Sequence, residues 1–355
     1  MPRLRVGVDA RTCLGARPRG EGRSILRLYR EIARLRPEWA LNLYGDTPGA
    51  DTPAGLAGAK VRSFSMRGER FGLWENLGLP VRAAFDRIDV LHCTSSSAPP
   101  WSPAPIVVTV HDIIPLVFDD GLDEAARARF RAGIERAVRR AAALIAVSGH
   151  TKRDLVRVLN VAPERVQVVH WGADAPAARA DAEVVRRRLE EAGIRRRYVL
   201  AFGGSARRKN TEGVIRGFAA VARADPDVDL VVAGVGAAGV RTRFANLAAE
   251  LGLAQRVQVL AYVSDELIEA LYAQAECLLF LSLYEGFGLP VLEAMARGVP
   301  VLASNTTSIP EVAGDAAVLV DPADTGAWTS ALTELLRSAS RRAELARAGL
   351  ARTAK

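Results

Sequence analysis

The chain has 355 residues, 49% apolar and 25% charged, a balance that suits a folded globular protein and excludes a disordered or fibrous one. It is too long for one ordinary core and has room for two domains. No stretch approaches the roughly 20 uninterrupted apolar residues of a membrane span, and residues 1–10 read as a strand rather than a signal segment. Cys13, Cys93 and Cys277 are odd in number and far apart, which suits reduced thiols in a cytoplasmic protein, and with four scattered histidines no structural metal is expected. The net charge of +8 is uneven: residues 1–174 hold 26 Lys and Arg against 19 Asp and Glu, residues 175–355 hold 22 against 21. That excess favours an anionic partner for the first half, unless it only reflects an arginine-rich coding habit.

Short β-branched runs alternate with amphipathic stretches throughout, the pattern of parallel sheets covered by helices on both faces. In the first half strands are expected at 4–9, 41–44, 61–64, 90–93, 106–110, 144–147 and 166–170. After the first, Gly20 and Gly22 lie in Arg19-Gly20-Glu21-Gly22-Arg23-Ser24, a glycine loop before a helix that could approach a phosphate or an acceptor. Taken alone it is ordinary loop punctuation. The following helix puts Ile25, Leu28, Tyr29, Ile32 and Leu35 on one face and Arg23, Arg27, Arg30 and Arg34 on another. The Arg stripe reads as a solvated face or as a peripheral contact with anionic lipid at the inner membrane surface. The strand 106–110 ends in His111 and Asp112, where an open α/β sheet keeps its active site, although a lone His there is equally often structural.

Small residues and Pro176 at 172–181 mark a linker, giving an N-terminal domain 1–173 and a C-terminal domain 174–355. A second series of strands follows at 198–202, 230–233, 257–260, 278–281, 299–303 and 317–320. The fold class is therefore α/β, two successive doubly wound parallel sheets with ligands at the carboxyl ends of strands and in a cleft.

Two loops in the second half carry the chemistry. Phe202-Gly203-Gly204-Ser205-Ala206-Arg207-Arg208-Lys209-Asn210 is a glycine turn that delivers three cations just before a helix. Cations oppose the positive end of a helix dipole, so their presence calls for a reason. A diphosphate leaving group supplies one, since Arg binds it bidentately and Lys as a point charge. In Ser282-Leu283-Tyr284-Glu285-Gly286-Phe287-Gly288-Leu289-Pro290-Val291-Leu292-Glu293-Ala294-Met295 a buried strand runs through a loop into a helix. Pro290 suits the first helical turn, and Gly286 and Gly288 let backbone amides approach an anion. One carboxylate, Glu285, can face a sugar ring while Glu293 accepts hydrogen bonds from a ribose.

Glu285 and Glu293 with seven residues between them, in the frame Tyr-Glu-Gly-Phe-Gly-Leu-Pro-Val-Leu-Glu-Ala-Met, closely resemble the retaining family 4, group 1 glycosyltransferases of GT-B fold. Tyr262-Val263-Ser264-Asp265-Glu266, Gly298-Val299-Pro300-Val301 and Ser308-Ile309-Pro310-Glu311-Val312-Ala313-Gly314 resemble that family in order. The likeness spans most of the chain and thins before Gly20, between about 45 and 100, and after about 340. It implies two Rossmann-like domains facing each other across a cleft that closes on the donor, with an NDP-sugar donor and a glycan or lipid-linked acceptor. It implies no cofactor beyond the nucleotide-sugar co-substrate, no metal and no nucleic acid. By the same resemblance Arg208 and Lys209 neutralise the diphosphate, Glu285 contacts the sugar, and His111 helps to place the sugar or the acceptor hydroxyl, with Asp112 as a candidate partner. Gly204, Ser205, Gly286, Phe287, Gly288 and Leu289 line the donor, Glu293 holds the ribose, and the main chain at Val263 faces the base. The Asp-Ala-Arg start and His-Asp-Ile-Ile-Pro are most similar to members acting on GDP-mannose. Many members carry an Arg where this chain has Gly203, which Arg207 or Ser205 could replace, and usually end in a helix returning to the N-terminal domain, whereas this sequence stops at Lys355.

Two other readings compete. Gly234-Val235-Gly236-Ala237-Ala238-Gly239 matches a dinucleotide fingerprint and raises an NAD-dependent oxidoreductase, but no acidic residue ends the next strand. Gly203 also leaves open a non-catalytic, nucleotide-binding subunit of the same fold. Asp227-Val228-Asp229 looks like a metal-binding carboxylate pair but precedes a strand, at the wrong edge of the sheet, and reads as a solvated loop.

Overall fold

A computed structural model describes residues 3–14, 20–63, 66, 72–174 and 181–354. Contacts divide the chain into two compact units, Met1–Gly172 and Ala173–Lys355. Most of the expected linker and the last residue of the expected third strand, Phe64, lie outside the described residues, as does Arg19.

In the first unit the strands are β1 (Arg5–Asp9), β2 (Ala40–Gly45), β3 (Lys60–Ser63), β4 (Val90–Cys93), β5 (Ile106–Val110), β6 (Ala141–Ala146) and β7 (Val166–Val168). They form one parallel sheet in the order β3-β2-β1-β4-β5-β6-β7. In the second unit β8 (Arg197–Phe202), β9 (Val228–Ala233), β10 (Val257–Val259), β11 (Cys277–Phe280), β12 (Val301–Ser304) and β13 (Val318–Val320) are ordered β10-β9-β8-β11-β12-β13, again all parallel. Each order reverses direction once, at β1/β4 and at β8/β11. Right-handed crossovers then put helices on both faces of each sheet, so the strands between them read as continuous apolar runs. Leu230, Val231, Val232 and Ala233 are all buried, as are Leu278, Leu279 and Phe280. Each unit is Rossmann-like.

The strand expected at 144–147 runs instead from Ala141, because the alanines at its start carry no β-branched signal. Asp229 is a second correction. It is not in a solvated loop but within β9, where Arg256 Nε donates to its Oδ1 at 2.7 Å and Arg196 lies 3.5 Å away. Those arginines account for the carboxylate at the amino end of the strand.

The core of the second unit gathers Val214, Ile215, Phe218 and Val221 from the helix Thr211–Ala224 against β8, β9 and Trp328 of the helix Thr325–Arg337. Gly217 permits that crossing: a Cβ there would lie 2.1 Å from Trp328 Cζ2. Alanine in a helix interior is ordinarily worth up to about 1 kcal/mol over glycine. Here overpacking by about 1–3 kcal/mol wins. Gly217→Ala is expected to lower Tm by about 2–8 °C in a thermal melt. A raised Tm would show that the helices do not meet as described.

Candidate active site

The reversal at β8/β11 sets two loops side by side at the carboxyl ends of their strands, where an open α/β sheet binds its ligand. After β8 the chain turns through Gly203 and Gly204, makes a 3-10 turn at Arg207–Lys209, and enters the helix Thr211–Ala224 through Asn210 in left-handed conformation. Thr211 fastens the turn: the Gly204 amide donates to its Oγ1 at 3.0 Å, and Oγ1 donates to the Gly204 carbonyl at 3.1 Å. The two loops are then tied together. The Leu283 amide donates to the Arg208 carbonyl at 2.7 Å, and Asn210 Nδ2 to the Leu281 carbonyl at 3.2 Å.

Across that seam the side chains converge. Lys209 Nζ donates to Glu285 Oε1 at 2.6 Å and Arg208 Nη1 to Glu285 Oε2 at 3.1 Å. Glu285 is 8% exposed. Burial alone would raise its carboxyl, but Lys209 and Arg208 outweigh it and hold the group below the usual carboxylate range. The backbone of Glu285 is fixed as well: its amide donates to Thr307 Oγ1 at 3.2 Å, and buried Ser308 Oγ donates to the Glu285 and Phe287 carbonyls at 2.9 Å each. Sequence reading missed this duty of Thr307 and Ser308, though Ser308 opens one of the segments quoted above.

Beyond Glu285, Gly286, Phe287 and Gly288 are buried and lead into the helix Leu289–Ala296. Gly288 has φ +108, and a Cβ there would lie 2.7 Å from Ile309 Cδ1, so both conformation and space require glycine. Glu293 sits on this helix, and buried Tyr272 donates its hydroxyl to Glu293 Oε2 at 3.3 Å. Arg297 packs beneath, bonded to Glu269 and to the Glu293 carbonyl.

The structure thus brings Arg208, Lys209 and Glu285 into direct contact, with Gly204, Gly286, Phe287, Gly288, Leu289 and Glu293 on the same two loops and helix. Ser205 and Arg207 are exposed. Val263 lies on the loop after β10, which is joined to the turn after β9 by the Gly234 amide donating to the Ala261 carbonyl at 3.2 Å. At Gly203 an ideal Cβ would meet Val232 Cγ1 at 2.6 Å and Thr211 at 3.0 Å, so this packing has no room for an Arg there. Of the fingerprint glycines, Gly236 packs against the Tyr262 ring, whose nearest carbon lies 2.3 Å from where a Gly236 Cβ would stand, and Gly239 is already on the helix Ala238–Glu250.

In the first unit, His111 follows β5. Its Nε2 lies 2.6 Å from the Thr94 carbonyl and 3.0 Å from Glu21 Oε1, and its ring stacks on Trp171 with centroids 5.6 Å apart. Glu21 comes from the first turn of the helix Gly20–Leu35, on which Gly22 is buried. The nearest carboxylate is therefore Glu21, whereas Asp112 accepts the Ile114 amide on Oδ1 at 3.0 Å, just ahead of the short helix Ile114–Val117. Burial alone would lower the His111 pKa, but Glu21, with the Thr94 carbonyl and Asp112, holds it above the ordinary value. Buried His92 behaves oppositely: desolvation pushes it down to about 4, and it bonds Tyr29 Oη at 2.6 Å and Thr109 Oγ1 at 2.7 Å as a neutral ring.

Under this site lies a buried ion network that the sequence did not disclose. Arg11 Nη2 contacts Asp9 Oδ2 at 2.6 Å and Glu75 Oε2 at 3.0 Å, Ser97 Oγ donates to Glu75 Oε2 at 2.7 Å, and Arg136 reaches Glu75 Oε1 at 3.4 Å. The signal was an acid inside Leu73-Trp74-Glu75-Asn76-Leu77, since a buried carboxylate demands a cation. Among the described residues no group of His, Cys, Asp and Glu is arranged to hold a metal, and no helix is long and apolar enough to cross a membrane.

Comparison with known proteins agrees with this architecture. Residues 187–352 match the family described as Glycosyl transferases group 1, and residues 18–175 match Glycosyltransferase Family 4. The chain belongs to the family 4, group 1 glycosyltransferases. It is 38% identical to a D-inositol 3-phosphate glycosyltransferase of Salinispora tropica over 61% of this chain and 48% of that protein. It is 32% identical to an MMP alpha-(1->4)-mannosyltransferase of Mycolicibacterium hassiacum over 66% of this chain and 57% of that one. The chain thus spans about half the length of these curated relatives. In fold it is similar to sucrose-phosphate synthase from Thermosynechococcus elongatus, with a TM-score of 0.76 and 18% identity over 99% of this chain and 94% of that one.

The Glu21 to His111 pair is testable by imidazole NMR. His111 is expected to titrate above the ordinary value of about 6.5, and Glu21→Gln to bring its midpoint down. Because the folded value is raised, the pair stabilises the protein below the unfolded pKa, and that contribution is lost as pH rises through the folded one. An unmoved midpoint in the variant would dissolve the pair.

Proposed function

We propose that the protein is a retaining, metal-independent glycosyltransferase that moves a hexose from a nucleoside-diphosphate sugar to an acceptor hydroxyl. The observation that carries this reading is the convergence of Arg208 and Lys209 on one buried carboxylate at the strand-order reversal of the second unit. Two cations there match the charge that develops on a departing diphosphate, the part a metal plays elsewhere. Glu285 would hold the sugar hydroxyls, the main chain from Gly286 to Leu289 the sugar and phosphates, Glu293 the ribose and the Val263 main chain the base. In the first unit His111, raised by Glu21, would receive the acceptor together with Gly20 and Gly22, which form the first helical turn rather than the expected loop.

The mannosyltransferase among the relatives and the His-Asp-Ile-Ile-Pro segment favour GDP-mannose as donor, with a UDP-sugar as alternative. A glycan or lipid-linked acceptor suits the positive first half, and that charge would also favour peripheral contact of a cytoplasmic protein with an anionic inner membrane face. The packing that closes Gly203 to any side chain supports a second reading, a nucleotide-binding subunit without turnover. A donor-hydrolysis assay on the intact protein separates the two.

Thermal-shift titration with GDP, UDP, dTDP and ADP identifies the base, because the preferred nucleotide stabilises the state that binds it. With the donor so chosen, Lys209→Ala is expected to lower kcat by about 100-fold or more with an unchanged circular dichroism spectrum. Wild-type turnover in that variant would remove the proposed role of the cations.

A further inference from the structure

Arg208 and Lys209 do not stand bare for a diphosphate. Each holds one oxygen of Glu285, so an anion of the chain itself already occupies the cationic pair. Both backbones are anchored beneath the ion pairs. Glu285 is clamped through Thr307 and Ser308, and the cation loop is laced to the same segment through Leu283 and Leu281. Side-chain rotation parts them while leaving those backbone bonds intact.

We propose, resting on the donor-site reading above, that Glu285 is a displaceable counter-ion by which the site prefers a sugar-bearing nucleotide to the bare nucleoside diphosphate. A diphosphate that takes Arg208 and Lys209 leaves a buried carboxylate without its cations, which is costly unless another donor meets it. A sugar hydroxyl attached to that diphosphate is such a donor. When the sugar has moved to the acceptor, the hydroxyl goes with it, Glu285 loses its partner, and the carboxylate competes again for both cations. The same residue therefore supports donor binding and drives product departure. An ordinary positioning carboxylate would do only the first.

The two roles separate under amide substitution, which keeps the shape of Glu285 and removes its charge. By calorimetric titration with the nucleoside diphosphate that best stabilises the wild type, Glu285→Gln is expected to bind it about tenfold tighter, because the cations are no longer occupied. The matching nucleotide sugar should gain less, so that the preference for sugar over no sugar shrinks. Should Glu285→Gln fail to fold, Glu285→Asp draws the carboxylate back from Lys209 and is expected to tighten the diphosphate in the same direction. Equal or weaker diphosphate binding in a folded variant, beside clear binding by the wild type, overturns the counter-ion while leaving the donor site in place. If the wild type binds none of GDP, UDP, dTDP and ADP, the donor-site reading falls and this inference with it.

Discussion

A buried carboxylate between two cations is the constraint on which the second unit turns. Glu285 is removed from water at a place where its charge must be matched, and Arg208 and Lys209 match it from a loop 76 residues earlier in the chain. The match exists only because the strand order makes β8 and β11 neighbours. Everything else nearby keeps those loops in register: Thr211 on the glycine turn, Thr307 and Ser308 on the Glu285 backbone, and a left-handed Gly288 that aims the following helix.

The first unit repeats the strand order and also buries ions, in a different way. Asp9 and Glu75 are 1% exposed at their side chains and Arg11 is 6% exposed, whereas Arg208 and Lys209 keep 23% and 22%. The first set is closed over and serves packing: Arg11 also lies 4.5 Å from the Trp74 ring centroid. Removing one of its partners would strand a charge, a large penalty with no ligand to relieve it. The second set remains reachable from solvent, as the proposed exchange of Glu285 for an incoming anion requires. The two ion sets thus differ in exposure: one is sealed within the first unit and the other is open to solvent in the second.

Much of this was readable in the sequence because its signals are local. Apolar runs between glycine turns gave thirteen strands within a few residues of their observed limits, and two parallel sheets follow from their alternation with helices. The loops holding Arg208, Lys209 and Glu285 stood out for the same reason, since cations at a helix start break a local rule, and in the structure Glu285 is the anion that meets them. What escaped depends on distant pairing. Glu75 is satisfied by arginines 64 and 61 residues away, Asp229 by one 27 residues on, and His111 by a carboxylate on the first helix rather than by its neighbour Asp112. No periodicity encodes such partners, because topology alone decides which loops meet.

The account rests on a diphosphate settling against the cations that Glu285 now holds. A crystal structure with the stabilising nucleoside diphosphate bound tests this most directly. The account predicts phosphate oxygens within hydrogen-bond reach of the Arg208 guanidinium and the Lys209 ammonium, with the ribose at Glu293. A nucleotide seated elsewhere, with both ion pairs to Glu285 intact, would contradict it.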